Sequence, residues 1–326
     1  MVETRRALSS LFLFILLVAA PLSAQISDVL VIPAAADTPG AAGTYWLTDF
    51  HVMNPQAYPL RATLVYLPTG GTLASAFKLD IGANETVWSD NIVAEFDDVT
   101  KETGSLLLAV LPEDNPGVDP DDYLGLSVVL QTRTFNTGPS GTQGQGIPGA
   151  ITGLLDLELD GLSAIATGVR NFGSPGAGGF RANIGALNLG QSSVTLQVTT
   201  FNADGDEVNS SPFILPPEGH WQGQLPVTVE HGSVEFWVVD PEPSVDDFVF
   251  PYVSIVDNRT GDATYIEPKL LASPSYIAPF KTGRRTATTP IRTDQVRRVI
   301  ESARYLGVAT VEGTGRSTRL KGPTAD

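Results

Sequence analysis

Two acidic runs hold the densest set of hard oxygen ligands in the chain. Asp114, Asp119, Asp121 and Asp122 crowd the run PEDNPGVDPDDY, and Asp240, Glu242, Asp246 and Asp247 crowd DPEPSVDDF. Carboxylates at such short spacing suit Ca2+, which gathers six to eight oxygens. Neither run follows the helix–loop–helix calcium pattern, and solvated loops are the plainer account of both. The expectation is no obligatory cofactor, with Ca2+ as the one cation these loops would suit.

A second group is Trp46, Asp49 and His51 in TYWLTDFHVM. An aromatic face beside a carboxylate and an imidazole is the equipment of a sugar-binding site. Trp88, Trp221, Trp237, Tyr58 and Tyr123 could extend a stacking platform, although aromatics in a β-sandwich more often fill its core. Trp88 and Trp221 are expected at equivalent places in a repeated unit, which favours a packing role for both.

Catalytic patterns are missing. The three histidines, His51, His220 and His231, show no zinc spacing. There is no Gly-x-Ser-x-Gly elbow and no Lys-terminated phosphate loop. The Gly-rich run 138–149 lacks a Lys and a following helix, so it reads as a plain loop. With no cysteine, thiol catalysis, iron–sulfur clusters and thiolate zinc sites are ruled out. Acid pairs can hydrolyse glycosides, but solvation explains each Asp more simply. The chain is therefore expected not to be an enzyme, and no catalytic residue is assigned.

The third group is basic. Arg297, Arg298 and Arg304 lie in DQVRRVIESARYL, where Val296, Val299, Ile300, Ala303 and Leu306 form one helical stripe. Thr293 would cap a helix over 294–306, and Gly307 would stop it. Such a segment would grip an anionic surface or partner, or dock on the chain's own acidic body. That body, residues 25–280, carries 31 acidic against 8 basic residues, a net of −23; residues 281–326 carry 10 basic against 4 acidic, a net of +6. The acidic body argues against nucleic acid as a partner.

The elements that must position these groups are strands. Short alternating apolar runs between Gly- and Pro-rich turns dominate up to residue 292 and predict an all-β fold. Leu60, Ala62, Leu64 and Tyr66 share one face of LRATLVYL, while GSLLLAVL is apolar throughout. The same order of features then returns. FRANIGALNL follows TDFHVMNP, VTLQVTTF follows RATLVYL, FILPPEGHW follows FKLDIGANETVW, and GSVEFWVV follows GSLLLAVL. Two tandem immunoglobulin-like antiparallel β-sandwiches are expected, over 25–150 and 151–270. A basic Pro/Thr-containing tail, 271–326, follows. AAADTPGAAG, after the strand VLVIP, reads as a linker.

Residues 1–24 read as a signal peptide: Arg5 and Arg6, an apolar run from Leu11 to Ala20, then a small residue at Ala24. The apolar run is short for a membrane span, which needs about 20 residues, and no second long one follows. The protein is expected to be exported to the periplasm, the cell surface or the medium.

GTYWLTDFHVMNP, ATLVYLPTGG, QTRTFN, FRANIGALNL and above all YVSIVDNRTGDATYI resemble a group of uncharacterised secreted bacterial proteins with paired Ig-like β-sandwich modules. The resemblance spans about residues 28–268 and implies fold and export; it brings no catalytic residues. Together these readings predict a non-enzymatic exported protein with a structural, adhesive or protein-interaction role, its partner a protein or the cell envelope. The alternative is a carbohydrate-binding protein that is stabilised by Ca2+, with a glycan as partner.

Overall fold

The computed structural model describes residues 25–323, apart from 72, 97–101, 120–123, 139–140, 151, 154–161, 240–248, 273–288, 292 and 314–315. The expected signal peptide lies outside the described residues.

The first half forms β1 (Gln25–Ser27), β2 (Val29–Pro39), β3 (Tyr45–Met53), β4 (Leu60–Pro68), β5 (Ser75–Ile81), β6 (Thr86–Ser89), β7 (Thr103–Ala109), β8 (Val128–Gly138) and β9 (Gly141–Ile147). After β10 (Thr152–Gly153) come β11 (Leu162–Ser174), β12 (Gly178–Asn188), β13 (Val194–Phe201), β14 (Glu207–Leu215), β15 (Gly219–Gln224), β16 (Val229–Val238), β17 (Val249–Asp257), β18 (Ala263–Ile266) and β19 (Lys269–Ala272). The C-terminal segment adds β20 (Thr289–Pro290), helix α1 (Thr293–Ser302), β21 (Arg304–Val308), β22 (Thr310–Glu312) and β23 (Ser317–Lys321). The fold is all-β with one short helix near the C-terminus.

The two halves pair their strands in the same way. In the first, β2 joins β3 and β7, β3 joins β6 and β8, β4 joins β5 and β7, and β8 joins β9, all antiparallel. In the second, β11 joins β12 and β16, β12 joins β15 and β17, β13 joins β14 and β16, and β17 joins β18, again antiparallel. In each half one strand changes sheets: β2 leaves β7 for β3 after Ala36, and β11 leaves β16 for β12 after Asn171. That crossing folds the ladder into two facing layers around one core. Leu30, Phe50, Leu64, Phe77 and Leu108 lie in the first core, and Ala166, Ile184, Leu196, Val234 and Val253 in the second.

The matching Gly-Ser pairs have a steric cause. A Cβ on Gly104 would fall 2.5 Å from the carbonyl oxygen of Leu67, and one on Gly232 would meet that of Phe201. Only glycine lets the neighbouring backbone come so close. Asn54 and Asn188 match too. Each amide nitrogen donates to backbone carbonyls of the turns beside it (Tyr58, Ile81 and Gly82; Ser192 and Pro216), and each Oδ1 accepts the N–H two residues on.

This register corrects one expectation. Trp88 pairs with His51, three residues before Asn54; Trp221 pairs with Ala186, two before Asn188. A one-residue offset changes the face of the sheet. Trp221 packs on the second core with Phe213, while Trp88 lies on an outer face under Arg319.

Two further expectations change. The Gly-rich run 138–149 is largely strand β9, paired with β8 along its length. Most of AAADTPGAAG is strand as well: β2 runs on to Pro39.

The tail folds back on the first sandwich. Strand β21 adds in parallel to β5, and β23 adds in parallel to β6, so both sheets gain a strand on that side. Helix α1 ends four residues earlier than predicted, because Arg304 enters β21 and donates its N–H to the Ala74 carbonyl. Val296 and Val299 join Val65, Leu67, Leu107, Leu187 and Phe250 in a third core between the halves. The β7–β4 layer is thus buried on both faces, which explains the unbroken apolar run GSLLLAVL. No helix among the described residues is long and apolar enough to cross a membrane.

Candidate binding cleft between the two sandwiches

Strand alternation builds one wall of a cleft. Along β12, Ala182, Ile184 and Ala186 turn into the second core, so Arg181 and Asn183 turn outward. Gln222 and Gln224 of β15 and Tyr252, Ser254 and Val256 of β17 share that outer face. The register sets Gln224, Asn183 and Ser254 in one cross-strand row, with Gln222, Gly185 and Tyr252 in the next. Gly185 is required there, because a Cβ would run into the Tyr252 ring.

The opposite wall belongs to the first sandwich. Ala34, Ala35, Ala36, Thr38 and Pro39 of β2, then Gly40 and Ala41, with Trp46, Thr103, Thr134 and Gln145, close a space of about 270 Å3. The small residues of β2 leave room that larger side chains would fill. Trp46 heads the inward row Thr48, Phe50 and Val52 of β3, at the end where the core opens into the cleft.

A polar chain locks the two walls together. Thr69 Oγ1 lies 2.7 Å from His220 Nδ1, and His220 Nε2 lies 2.8 Å from Tyr252 Oη, which donates to Gln222 Oε1 at 2.7 Å. The Thr69 hydroxyl also donates to the Thr103 carbonyl, 2.7 Å away. Thr103 Oγ1 is 2.7 Å from Thr69 Oγ1 and completes the chain. The Gly70 N–H also donates to the His220 carbonyl. His220 is fully buried, and that burial pushes its pKa down to about 3, so the ring is neutral. Farther along, Ser254 Oγ donates to Gln145 Oε1, and Asn136 Nδ2 to the Gly261 carbonyl.

The electrostatics are unusual for so acidic a chain. No Asp or Glu is among the described lining residues. Arg181 is the one cation among them. It is half-buried, and burial lowers its pKa; an Arg starts so high that it stays charged. Its Nη1 donates to Asn258 Oδ1 at 3.0 Å, and among the described residues no carboxylate pairs with it.

The structure divides the residues singled out from sequence. Trp46 lines the cleft, whereas Asp49 and His51 sit on the other face of β3, as the period of two requires. His51 stacks on Trp88, with ring centroids 6.5 Å apart, and Arg319 covers that Trp at 5.5 Å. Asp49 lies across from Arg133, and burial raises its pKa. The three residues therefore do not form one site.

Among the acidic candidates, Asp114 is taken by Lys78 and by Thr63, whose hydroxyl lies 3.4 Å away. Asp119 is exposed. Asp121, Asp122, Asp240, Glu242, Asp246 and Asp247 lie outside the described residues. Among the described residues no three metal-binding side chains converge. In the tail, Arg297 pairs with Glu113 at 2.7 Å, Arg298 lies 4.0 Å from Asp294, and Arg304 stands in β21 rather than on the helix.

His220 and Arg181 were not among the expected site residues. A signal for Arg181 was present: it interrupts an apolar strand in a body with only 8 basic residues.

No family model matches this sequence, and no curated protein matches it. Among solved structures it is similar to a candidate secreted protein of Parabacteroides distasonis, at 10% identity and a TM-score of 0.19, over 76% of this chain and 86% of that one. It is also similar to a β-glucuronidase of Bacteroides uniformis, at 12% identity and a TM-score of 0.15, over 74% of this chain. The chain spans 26% of the length of that glucuronidase. Scores this low carry no argument about fold or function, and the architecture rests on the chain's own strand pairing.

Proposed function

We propose that this is a non-enzymatic, exported carbohydrate-binding protein whose ligand sits between the two sandwiches. The observation that carries this reading is the lining of the cleft. Asn183, Gln145, Gln222 and Gln224 bring side-chain amides, Thr134 and Ser254 bring hydroxyls, and Trp46 brings an apolar ring face. An amide offers a donor and an acceptor side by side, which matches neighbouring sugar hydroxyls. An aromatic face takes the C–H side of a sugar ring. A space of about 270 Å3 suits one or two sugar units. The described lining holds no carboxylate pair of the kind that hydrolyses glycosides, which favours binding over catalysis. Export is supported by the signal-like residues 1–24.

The test is a glycan array probed with the protein lacking residues 1–24, alongside its Trp46→Ala variant. Specific signals that Trp46→Ala abolishes would support the reading. An array blank for both proteins would sink it.

A second reading has one observation in its favour. Strand β5 of the first sandwich is covered by β21, but among the described residues its counterpart β14 pairs only with β13, and Ile214 on it is 70% exposed. An open edge strand can accept a strand from a protein partner.

A further inference from the structure

We infer that the sugar bound in the cleft carries a carboxylate and that Arg181 receives it; this rests on the carbohydrate reading above. The argument begins with an imbalance. Across residues 25–280, acidic side chains outnumber basic ones 31 to 8. At that composition, about one residue in eight, chance placement would give the lining about two carboxylates, yet its described residues include no carboxylate and one guanidinium. A half-buried cation without a counter-charge is costly to keep. Among the described residues, Arg181 keeps its charge with only the neutral Asn258 Oδ1 as a partner. That contact holds one edge of the guanidinium plane and leaves other N–H groups for an incoming anion. Arg presents its donors in a planar fork that fits a carboxylate with two parallel hydrogen bonds.

The spacing fits one sugar ring. Arg181 and Asn183 are successive outward residues of β12, about 6.8 Å apart along the strand. Asn183 sits in the same cross-strand row as Gln224 and Ser254. A pyranose with an exocyclic carboxylate at Arg181 would lay its ring hydroxyls over that row. Trp46 on the opposite wall would cover the ring.

The acidic body does not forbid an anionic ligand. Exposed charges are screened beyond about 8 Å at physiological salt. Arg181 acts at contact, in a partly desolvated site where screening is weak.

Isothermal titration should use hexuronates and the matching neutral hexoses, with wild type, Arg181→Gln and Arg181→Lys. The wild type should bind the hexuronate about tenfold or more tighter, the size of a charge-assisted hydrogen bond. Arg181→Gln should erase that preference and leave the neutral sugar within about twofold. Arg181→Lys keeps the charge without the fork and should fall between them, which guards against a misfolded Gln variant. Equal binding of both sugars, or a preference that survives Arg181→Gln, would overturn the inference and leave the carbohydrate reading standing. Binding of neither sugar, together with a blank glycan array, would overturn both.

Discussion

His220 Nδ1 of the second sandwich lies 2.7 Å from Thr69 Oγ1 of the first, although 151 positions separate them in sequence. The pair is bonded to Thr103 and Tyr252, which line the cleft, and so links its two walls. Replacing His220 with Ala removes two side-chain hydrogen bonds and leaves a cavity where the buried ring stood, although Thr69 keeps Thr103 and Tyr252 keeps Gln222 as partners. Each lost bond contributes about 0.5–1.5 kcal/mol, and the cavity adds its own cost. Urea unfolding at pH 7 should therefore show His220→Ala less stable by about 2–4 kcal/mol. A loss below about 0.5 kcal/mol would show that the chain does not hold the walls.

The same histidine makes stability depend on pH. Its pKa is about 3 in the folded chain against 6.5 as its ordinary value. Below pH 6.5 the unfolded chain takes up a proton that the folded chain refuses, so stability falls as pH falls. The slope approaches about 1.4 kcal/mol per pH unit between roughly pH 6 and pH 4. Carboxylates add their own slope at the acid end. The difference between wild type and His220→Gln isolates the histidine: the wild type should lose more between pH 6.5 and 4.5. Parallel curves would contradict the assignment.

Gly104→Ala and Gly232→Ala should each destabilise the protein by about 1–3 kcal/mol, the usual cost of overpacking. In both cases the added methyl meets a backbone carbonyl, which cannot rotate away as a side chain would. Thermal melts of the two variants should shift alike. A neutral Gly232→Ala would mean that the close β13–β16 approach is not needed.

The tail should be held by its apolar stripe more than by its charges. Val299 is buried in the core between the halves, whereas both partners of the Arg297–Glu113 pair are nearly half exposed. Exposed ion pairs contribute about 0–1 kcal/mol, and a buried Val side chain contributes about 1.5–3. Val299→Asp should release the tail, seen as new proteolytic sites after residue 290, while Arg297→Ala leaves it docked. The reverse order would make the docking electrostatic.

Much of the fold was legible because local chemistry repeats. The two Gly-Ser pairs, the alternating VTLQVTTF and RATLVYL, and the hairpin at Asn258–Asp262 announce matching strands. Strands of small residues were hidden. Ala34–Ala36 has none of the β-branched and aromatic side chains that mark a strand, and Gly141–Gly146 has just Thr142. Their backbones are held by ladders to β7 and β8. The tail strands β21 and β23 were hidden as well, because β5 and β6, the sandwich strands they join, lie more than 200 positions away.

The cleft was the least legible feature. Trp46 was recognised as a candidate but grouped with Asp49 and His51, which share its strand and not its face. Its true neighbours, Arg181, Gln222 and Gln224, come from another sandwich. Only the packing of the two halves brings them together.

The most direct test of the central claim is glycan binding by two variants side by side. Trp46→Ala alters the cleft, and His51→Ala alters the outer face of the same strand. If the ligand sits between the sandwiches, Trp46→Ala should weaken binding about tenfold, the upper end of a lost stacking contact of about 0.5–1.5 kcal/mol, and His51→Ala should leave it unchanged. Binding that survives Trp46→Ala and is lost on His51→Ala would place the site on the outer face and contradict the account.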